Sequence, residues 1–333
     1  MDIERIAAGR CMPPFPVYDD LVGTLLAAHK SARAERNAAV AHVLGVCAGY
    51  AYADAATVAM MMARLGLESH ACVRIGQTVD AMYVYSTAYL LQSRCGRVAI
   101  LGYRGTEPTS LGNWIGDSDV GSESSRLMSG AGEALRVHAG FHRNVRATRW
   151  AVLNELRLAL QGRSLLDPAE QLAQPLEALY VTGHSLGGAM AVLFALSLGR
   201  EGDERSLVER LRAIYTFGQP MVIGGPLSTA VREVADRLYR HVTPRDPVPA
   251  LPPSAWGRFD HFGREYCHTS EGWEPSAAPV RQLKSAADIP RALLAAFATE
   301  KRRAQDRYTI DAHGPHQYLA ALRPAGRVTE LGD

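Results

Sequence analysis

The sequence predicts an α/β fold: a mostly parallel central sheet, helices on both of its faces, and a helical N-terminal layer. Three observations carry that expectation. From about residue 81 onward, apolar stretches of strand length alternate with helix-patterned stretches. The helices between successive strands are long enough to serve as crossovers, which parallel pairing requires and a hairpin turn does not supply. Residues 19–67 instead carry apolar residues at three- and four-residue spacing, in LVGTLLAAHK and ATVAMMMARLG, with no strand pattern between.

In chain order, Gly66 is placed to stop the last N-terminal helix. The most apolar window, Ala38 to Ala53, is shorter than the ~20 residues of a membrane span and meets Asp54 at once, so it reads as a buried helix. AMYVYSTAYLL (81–91) and RVAILGYRG (97–105) read as neighbouring strands across the turn-like QSRCG. Arg146 to Leu160 reads as an amphipathic helix with Trp150, Leu153, Leu156 and Leu160 on one stripe. LEALYVTG (176–183) is a buried strand and a helix follows over 186–199. Strand LRAIYTFG (211–218), a short helix near Pro226 to Val234 and strand RLYRHVTP (237–244) complete the alternation. One continuous domain is expected over residues 1–333.

Composition narrows the function classes. With 47% hydrophobic and 21% charged residues the chain has the make-up of a soluble globular protein, and a net charge of +2 supplies no electrostatic reason for a nucleic-acid partner. The run Lys301, Arg302, Arg303 reads as a solvated helix face. Cys11, Cys47, Cys72, Cys95 and Cys267 are odd in number and lack CxxC spacing, so no disulfide framework or zinc site is indicated and a reducing compartment is the simpler expectation. The pair Cys267-His268 has too few partners for a metal site, and no cofactor is implied. The segment MDIERIAAGRCMPPFPVYDD places acids at positions 2 and 4 and builds no apolar run. It lacks the form of a Sec-type signal, so the expected location is cytoplasmic, with export by a dedicated machine left open.

The chemistry concentrates at one junction. Gly183-His184-Ser185-Leu186-Gly187 is G-x-S-x-G with a strand before it and a helix after it, the context in which this turn lifts a serine hydroxyl above the end of a parallel sheet. The glycines are needed because strand and helix pass too close for side chains. Serine at neutral pH is a poor nucleophile, so a base and a group orienting that base must follow, in the order serine, acid, histidine. Asp246, in RHVTPRDPVPALPP, lies just beyond a strand end on a proline-stiffened loop. That position favours it over Asp236, in a helix-like stretch, and Asp260, in a polar segment. His261, His268, His313 and His316 are the later histidines. The base belongs to DAHGPHQYLAAL near the chain end, and spacing leaves His313 and His316 equal. One oxyanion donor is the backbone N–H of Leu186, directly after the nucleophile, and the second is expected just after strand RVAILGYRG.

Six segments in order, YRGTEPTSLGNWIGD (103–117), VHAGF (137–141), VTGHSLGGA (181–189), YTFGQPMVIG (215–224), RDPVPALPP (245–253) and HFGREY (261–266), resemble the class 3 lipase family of fungal-type triacylglycerol lipases and their relatives. The resemblance covers roughly residues 76–322, leaving residues 1–75 as the helical N-terminal layer and 323–333 as a tail. It implies an α/β-hydrolase fold, Ser185 as nucleophile and Asp246 as acid. Family members tend to place a histidine five residues before a tyrosine, which His313 and Tyr318 satisfy and His316 does not, although Ala312 interrupts the usual Asp-His pair. The family places the second oxyanion donor at Thr106 and a lid directly after it. The segment over 107–120 carries Leu111, Trp114 and Ile115 at near-helical spacing, and Arg104 and Asp117 resemble a charged pair holding it.

The implied activity is that of a serine carboxylic-ester hydrolase cleaving acyl esters of lipids, with transient contact to a lipid surface through the lid. The alternatives are a phospholipase, a cutinase- or feruloyl-type esterase, or a catalytically silent member serving as a scaffold.

Overall fold

The computed structural model describes residues 1–8, 16–67, 70–82, 84–105, 122–125, 135–199, 202–225, 229–284 and 311–328. In chain order its strands are β1 (Asp2–Ala7), β2 (Ala71–Val79), β3 (Val84–Gln92), β4 (Val98–Tyr103), β5 (Ser122–Ser125), β6 (Leu135–His138), β7 (Ala178–His184), β8 (Leu211–Phe217), β9 (Ile223–Gly224), β10 (Leu238–Val242), β11 (Arg264–Thr269) and β12 (Gly272–Pro275). Nine of them form one sheet in the order β1-β2-β3-β4-β7-β8-β10-β11-β12, and β5, β6 and β9 form a small second sheet. The centre, β4-β7-β8-β10-β11, is parallel throughout. The flanking pairs on either side are antiparallel.

Side chains on the central strands alternate between two apolar clusters, as a pleated ribbon requires. Ala99, Leu101, Leu179 and Val181 point to one face, where they pack with α4 (Ala139–Leu160), α5 (Leu186–Leu196) and α6 (Gly202–Arg210). Val98, Ile100, Ala178, Tyr180, Ala213 and Tyr215 point to the other. That second face is covered by α1 (Leu21–Ala27), α2 (Ala38–Tyr50) and α3 (Ala55–Leu65) together with the C-terminal α8 (Pro315–Leu322). The short α7 (Thr229–Ala235) precedes β10.

The N-terminal helices begin and end where local chemistry dictates. The side chains of Asp20, Asn37 and Asp54 accept from the backbone N–H of Gly23, Val40 and Thr57, satisfying one first-turn donor in each helix. Gly66 closes α3 with φ of 115°, the left-handed cap that glycine adopts freely. Residues 40–48 of α2 are all buried, in keeping with the apolar window. Among the described residues, no helix is long and apolar enough to cross a membrane.

Three expectations need correction. The N-terminal layer is not purely helical, because β1 pairs antiparallel with β2 from Asp2 opposite Gly76 to Ala7 opposite Ala71. As an edge strand β1 is held by polar contacts, Arg5 to Glu155 at 2.7 Å and Asp2 to Arg74 at 2.8 Å, so it lacks apolar alternation in the sequence. Helix α4 starts at Ala139, seven residues before the expected Arg146, capped by His138 through Phe141 N–H. Trp150 is 68% exposed, whereas the inward residues are Val145, Thr148, Val152, Leu156 and Ala159. Their spacing of three and four leaves Trp150 more than half a turn round from Val152.

Under the N-terminal layer lies a set of buried imidazoles. His29 meets the hydroxyls of Tyr239 at 3.0 Å and Tyr215 at 2.9 Å, and His241 stacks between Tyr215 and Tyr266. Burial, with nearby arginines adding to it, pulls His29 down to about 4. Burial does the same for His70 and His138, and holds His241 well below the ordinary value.

These imidazoles are neutral when folded and take up protons when unfolded, so their contribution is complete above pH 6.5 and is lost as pH falls from 6.5 toward 4. Each group at about 4 removes roughly 2 kcal/mol by pH 5. Urea denaturation at pH 7.5, 6.5 and 5.0 is expected to show a steep fall in midpoint across the last interval. A midpoint unchanged to pH 5 contradicts this reading of the imidazoles.

Candidate active site

The end of β7 and the start of α5 meet at Ser185, whose backbone sits at φ 58°, ψ −130°, a region that non-glycine residues avoid. Close approach explains why the chain accepts it. A Cβ on Gly183 would lie 2.2 Å from the carbonyl of Gly187, and one on Gly187 would lie 2.2 Å from the carbonyl oxygen of Tyr103 at the end of β4. Strand, helix and neighbouring strand are therefore in backbone contact, and the turn between them has no room to relax. The Ser185 N–H donates to Phe217 O at 2.9 Å, which ties the turn to β8. Its hydroxyl does not cap α5 and is left for other partners.

The loop after β10 brings Asp246, and the short 3-10 turn Asp311–His313 ahead of α8 brings His313. His313 Nε2 lies 2.7 Å from Ser185 Oγ, while Nδ1 lies 2.9 and 3.1 Å from the two oxygens of Asp246. With Nδ1–H donating to the carboxylate, Nε2 carries a lone pair directed at the serine hydroxyl. Asp246 accepts two further hydrogen bonds, from Tyr318 O–H at 2.5 Å and from Val248 N–H at 2.9 Å. Burial and the facing carboxylate push the Tyr318 phenol well above its usual range, so it stays a donor. Ser185, Asp246 and His313 are all buried.

Other candidates stand elsewhere. His316 is exposed, 3.6 Å from Asp311. Asp236 pairs with Arg33, and the side chain of Asp260 accepts from His261 N–H. His261 contacts Pro249 O, and His268 lies against Trp273. Leu186 opens α5 at its first position, where a backbone N–H has no intrahelical acceptor. Thr106, Leu111, Trp114, Ile115 and Asp117 lie outside the described residues. Arg104 is within them and donates its N–H to Thr87 O at 2.9 Å.

Three residues at the site escaped the sequence reading. Gly218 follows β8 at φ 60°, and a Cβ there would lie 2.8 Å from Asp246 Oδ2 and 2.9 Å from His313 Nδ1, so only glycine leaves that pair undisturbed. His184 and Tyr52 form a hydrogen-bonded link to the main chain of His313, Tyr52 hydroxyl to His184 Nδ1 at 2.9 Å and His184 Nε2 to His313 O at 2.7 Å. The glycine after a strand in YTFGQP was a signal for the first. Nothing local marks the other two.

Residues 100–256 match the family model for Lipase (class 3). A lipase of Rhizomucor miehei is 33% identical over 202 residues, 61% of this chain and 50% of that protein. Triacylglycerol lipase OBL1 of Ricinus communis is 28% identical over 220 residues, 55% of this chain and 40% of that protein. The chain thus spans half or less of the length of these curated relatives. The native propeptide complex of Rhizomucor miehei lipase superposes with a TM-score of 0.55 at 23% identity, covering 82% of this chain and 78% of that one. That likeness is one of fold, and the fold is the α/β-hydrolase fold. Over residues 100–256, a little under half of the chain, the sequence is thus similar to the class 3 lipase family.

Proposed function

We propose that the protein is a serine carboxylic-ester hydrolase acting on acyl esters of lipids, with Ser185 as nucleophile, His313 as general base and acid, and Asp246 as the group that orients it. One observation carries the reading: the contact of 2.7 Å between His313 Nε2 and Ser185 Oγ, with Nδ1 engaged by Asp246. Relatives described as triacylglycerol lipase and as mono- and diacylglycerol lipase support the substrate class.

The steps follow from the tautomer. Nε2 takes the Ser185 proton as Oγ attacks the ester carbonyl carbon, and the carbonyl oxygen becomes an alkoxide. The N–H groups of Leu186 and Thr106 are assigned to receive that charge, a donor of this kind being worth about 3 to 4 kcal/mol of barrier. Collapse breaks the bond to the alcohol oxygen, which leaves with the proton from Nε2. Water, deprotonated by the same nitrogen, then releases the acid and restores Oγ–H. The segment 107–120, with Leu111, Trp114 and Ile115, is assigned as the lid on the strength of its amphipathic pattern and its place directly after the β4 strand end.

A hydrolysis panel of emulsified triacylglycerol, phospholipid and p-nitrophenyl esters of graded length tests the proposal. Turnover of at least one lipid ester is expected, with Ser185→Ala lowering kcat by about 10⁴-fold or more and Asp246→Asn by roughly 10³- to 10⁴-fold. Turnover undiminished in Ser185→Ala rules the reading out. Gly218→Ala is expected to lower kcat by about 10- to 100-fold by displacing the His313–Asp246 pair.

A further inference from the structure

The link of Tyr52 through His184 to His313 joins the N-terminal layer to the main chain of the base. The hydroxyl of Tyr52, in the turn after α2, lies 2.9 Å from His184 Nδ1, and His184 Nε2 lies 2.7 Å from the carbonyl oxygen of His313. A carbonyl only accepts, so Nε2 carries the proton and Nδ1 accepts from the tyrosine. Burial, with His313 beside it, keeps His184 well below the ordinary imidazole range and so in this single neutral form. Its ring also lies 4.6 Å from that of His313, tilted by 32°.

The neighbouring residue is held as well, Thr243 Oγ1 donating to Ala312 O at 2.7 Å. Two successive carbonyls are thus pinned, one by a residue three before Asp246 and one by the residue before Ser185. Tyr52 reaches a second element as well. A Cβ on Gly105, just after β4, would lie 2.2 Å from its hydroxyl oxygen and 2.6 Å from His184 O. The same hydroxyl therefore rests against the backbone immediately preceding Thr106.

We infer that Tyr52 and His184 are positioning residues for the hydrolytic reaction: they fix the main chain of His313 and hence the approach of its Nε2 to Ser185. The inference rests on the proposed function and adds that the N-terminal layer contributes to turnover as well as to the core. The hydrogen bonds of the link reach neither the hydroxyl of Ser185 nor the ring nitrogens of His313. Their loss therefore lowers kcat and leaves KM nearly unchanged, since what degrades is the alignment of base and hydroxyl.

The test uses the full chain, a soluble p-nitrophenyl ester, and the rate at which a soluble fluorophosphonate labels Ser185. Tyr52→Phe keeps the ring and removes the hydroxyl. It is expected to lower both kcat and the labelling rate by about 10-fold, with KM within about threefold and Tm within roughly 5 °C. His184→Gln offers an amide N–H to the His313 carbonyl and an oxygen to Tyr52, and is expected to retain several-fold more kcat than His184→Leu. Wild-type kcat and labelling in Tyr52→Phe, a change confined to KM, or His184→Gln performing no better than His184→Leu would each overturn the assignment while leaving Ser185 as nucleophile. A wild-type chain that takes up no label overturns the parent reading and this one together.

Discussion

The structure turns on backbone contact at the β7–α5 junction. Gly183 faces Gly187, Gly187 faces the Tyr103 carbonyl, and the residue caught between them takes φ of 58°. A non-glycine residue in such a conformation persists only where its surroundings over-determine it. Here the parallel pairing of β4, β7 and β8 does so, and the hydroxyl of Ser185 is directed toward His313 instead of back onto the helix. The remaining site residues come to this point, which itself has no freedom to move to them.

His313 arrives by packing over a long sequence distance. α8 lies on α2 at glycines, Gly45 beneath Leu322 and Gly49 beneath Leu319, where added Cβ atoms would fall 2.3 and 3.0 Å from the leucine side chains. Tyr318 in the same helix reaches Asp246. The helical N-terminal segment is accordingly one of the two covers of the sheet and the seat for the helix that follows His313, with β1 extending the sheet edge. In that setting the contact of Tyr52 with His184 continues a packing relation that already exists.

Legibility from sequence followed the range of the interactions. The junction at Ser185 was readable because its five residues and both flanking elements are contiguous. Asp246 was readable because strand ends in a parallel sheet are where such groups collect. His313 and His316 are three residues apart in one loop, and spacing alone left them equal; docking of α8 brings His313, buried, against Ser185 and leaves His316 exposed. β1 carries the charges of an exposed edge, so no apolar alternation announced it. Gly218, His184 and Tyr52 take their roles from contacts across the fold, and no local pattern distinguishes a tyrosine that meets an elbow histidine from any other tyrosine in a turn.

The central claim is that folding alone makes one serine reactive, by convergence of an imidazole, a carboxylate and a strained hydroxyl. The most direct measurement is peptide mapping by mass spectrometry after exposure to a fluorophosphonate, on the native chain and on the chain held in urea. The account predicts one equivalent of adduct in the native protein, confined to the peptide containing Ser185, and none in urea. Adduct on a different serine, or equal labelling in both states, would contradict it.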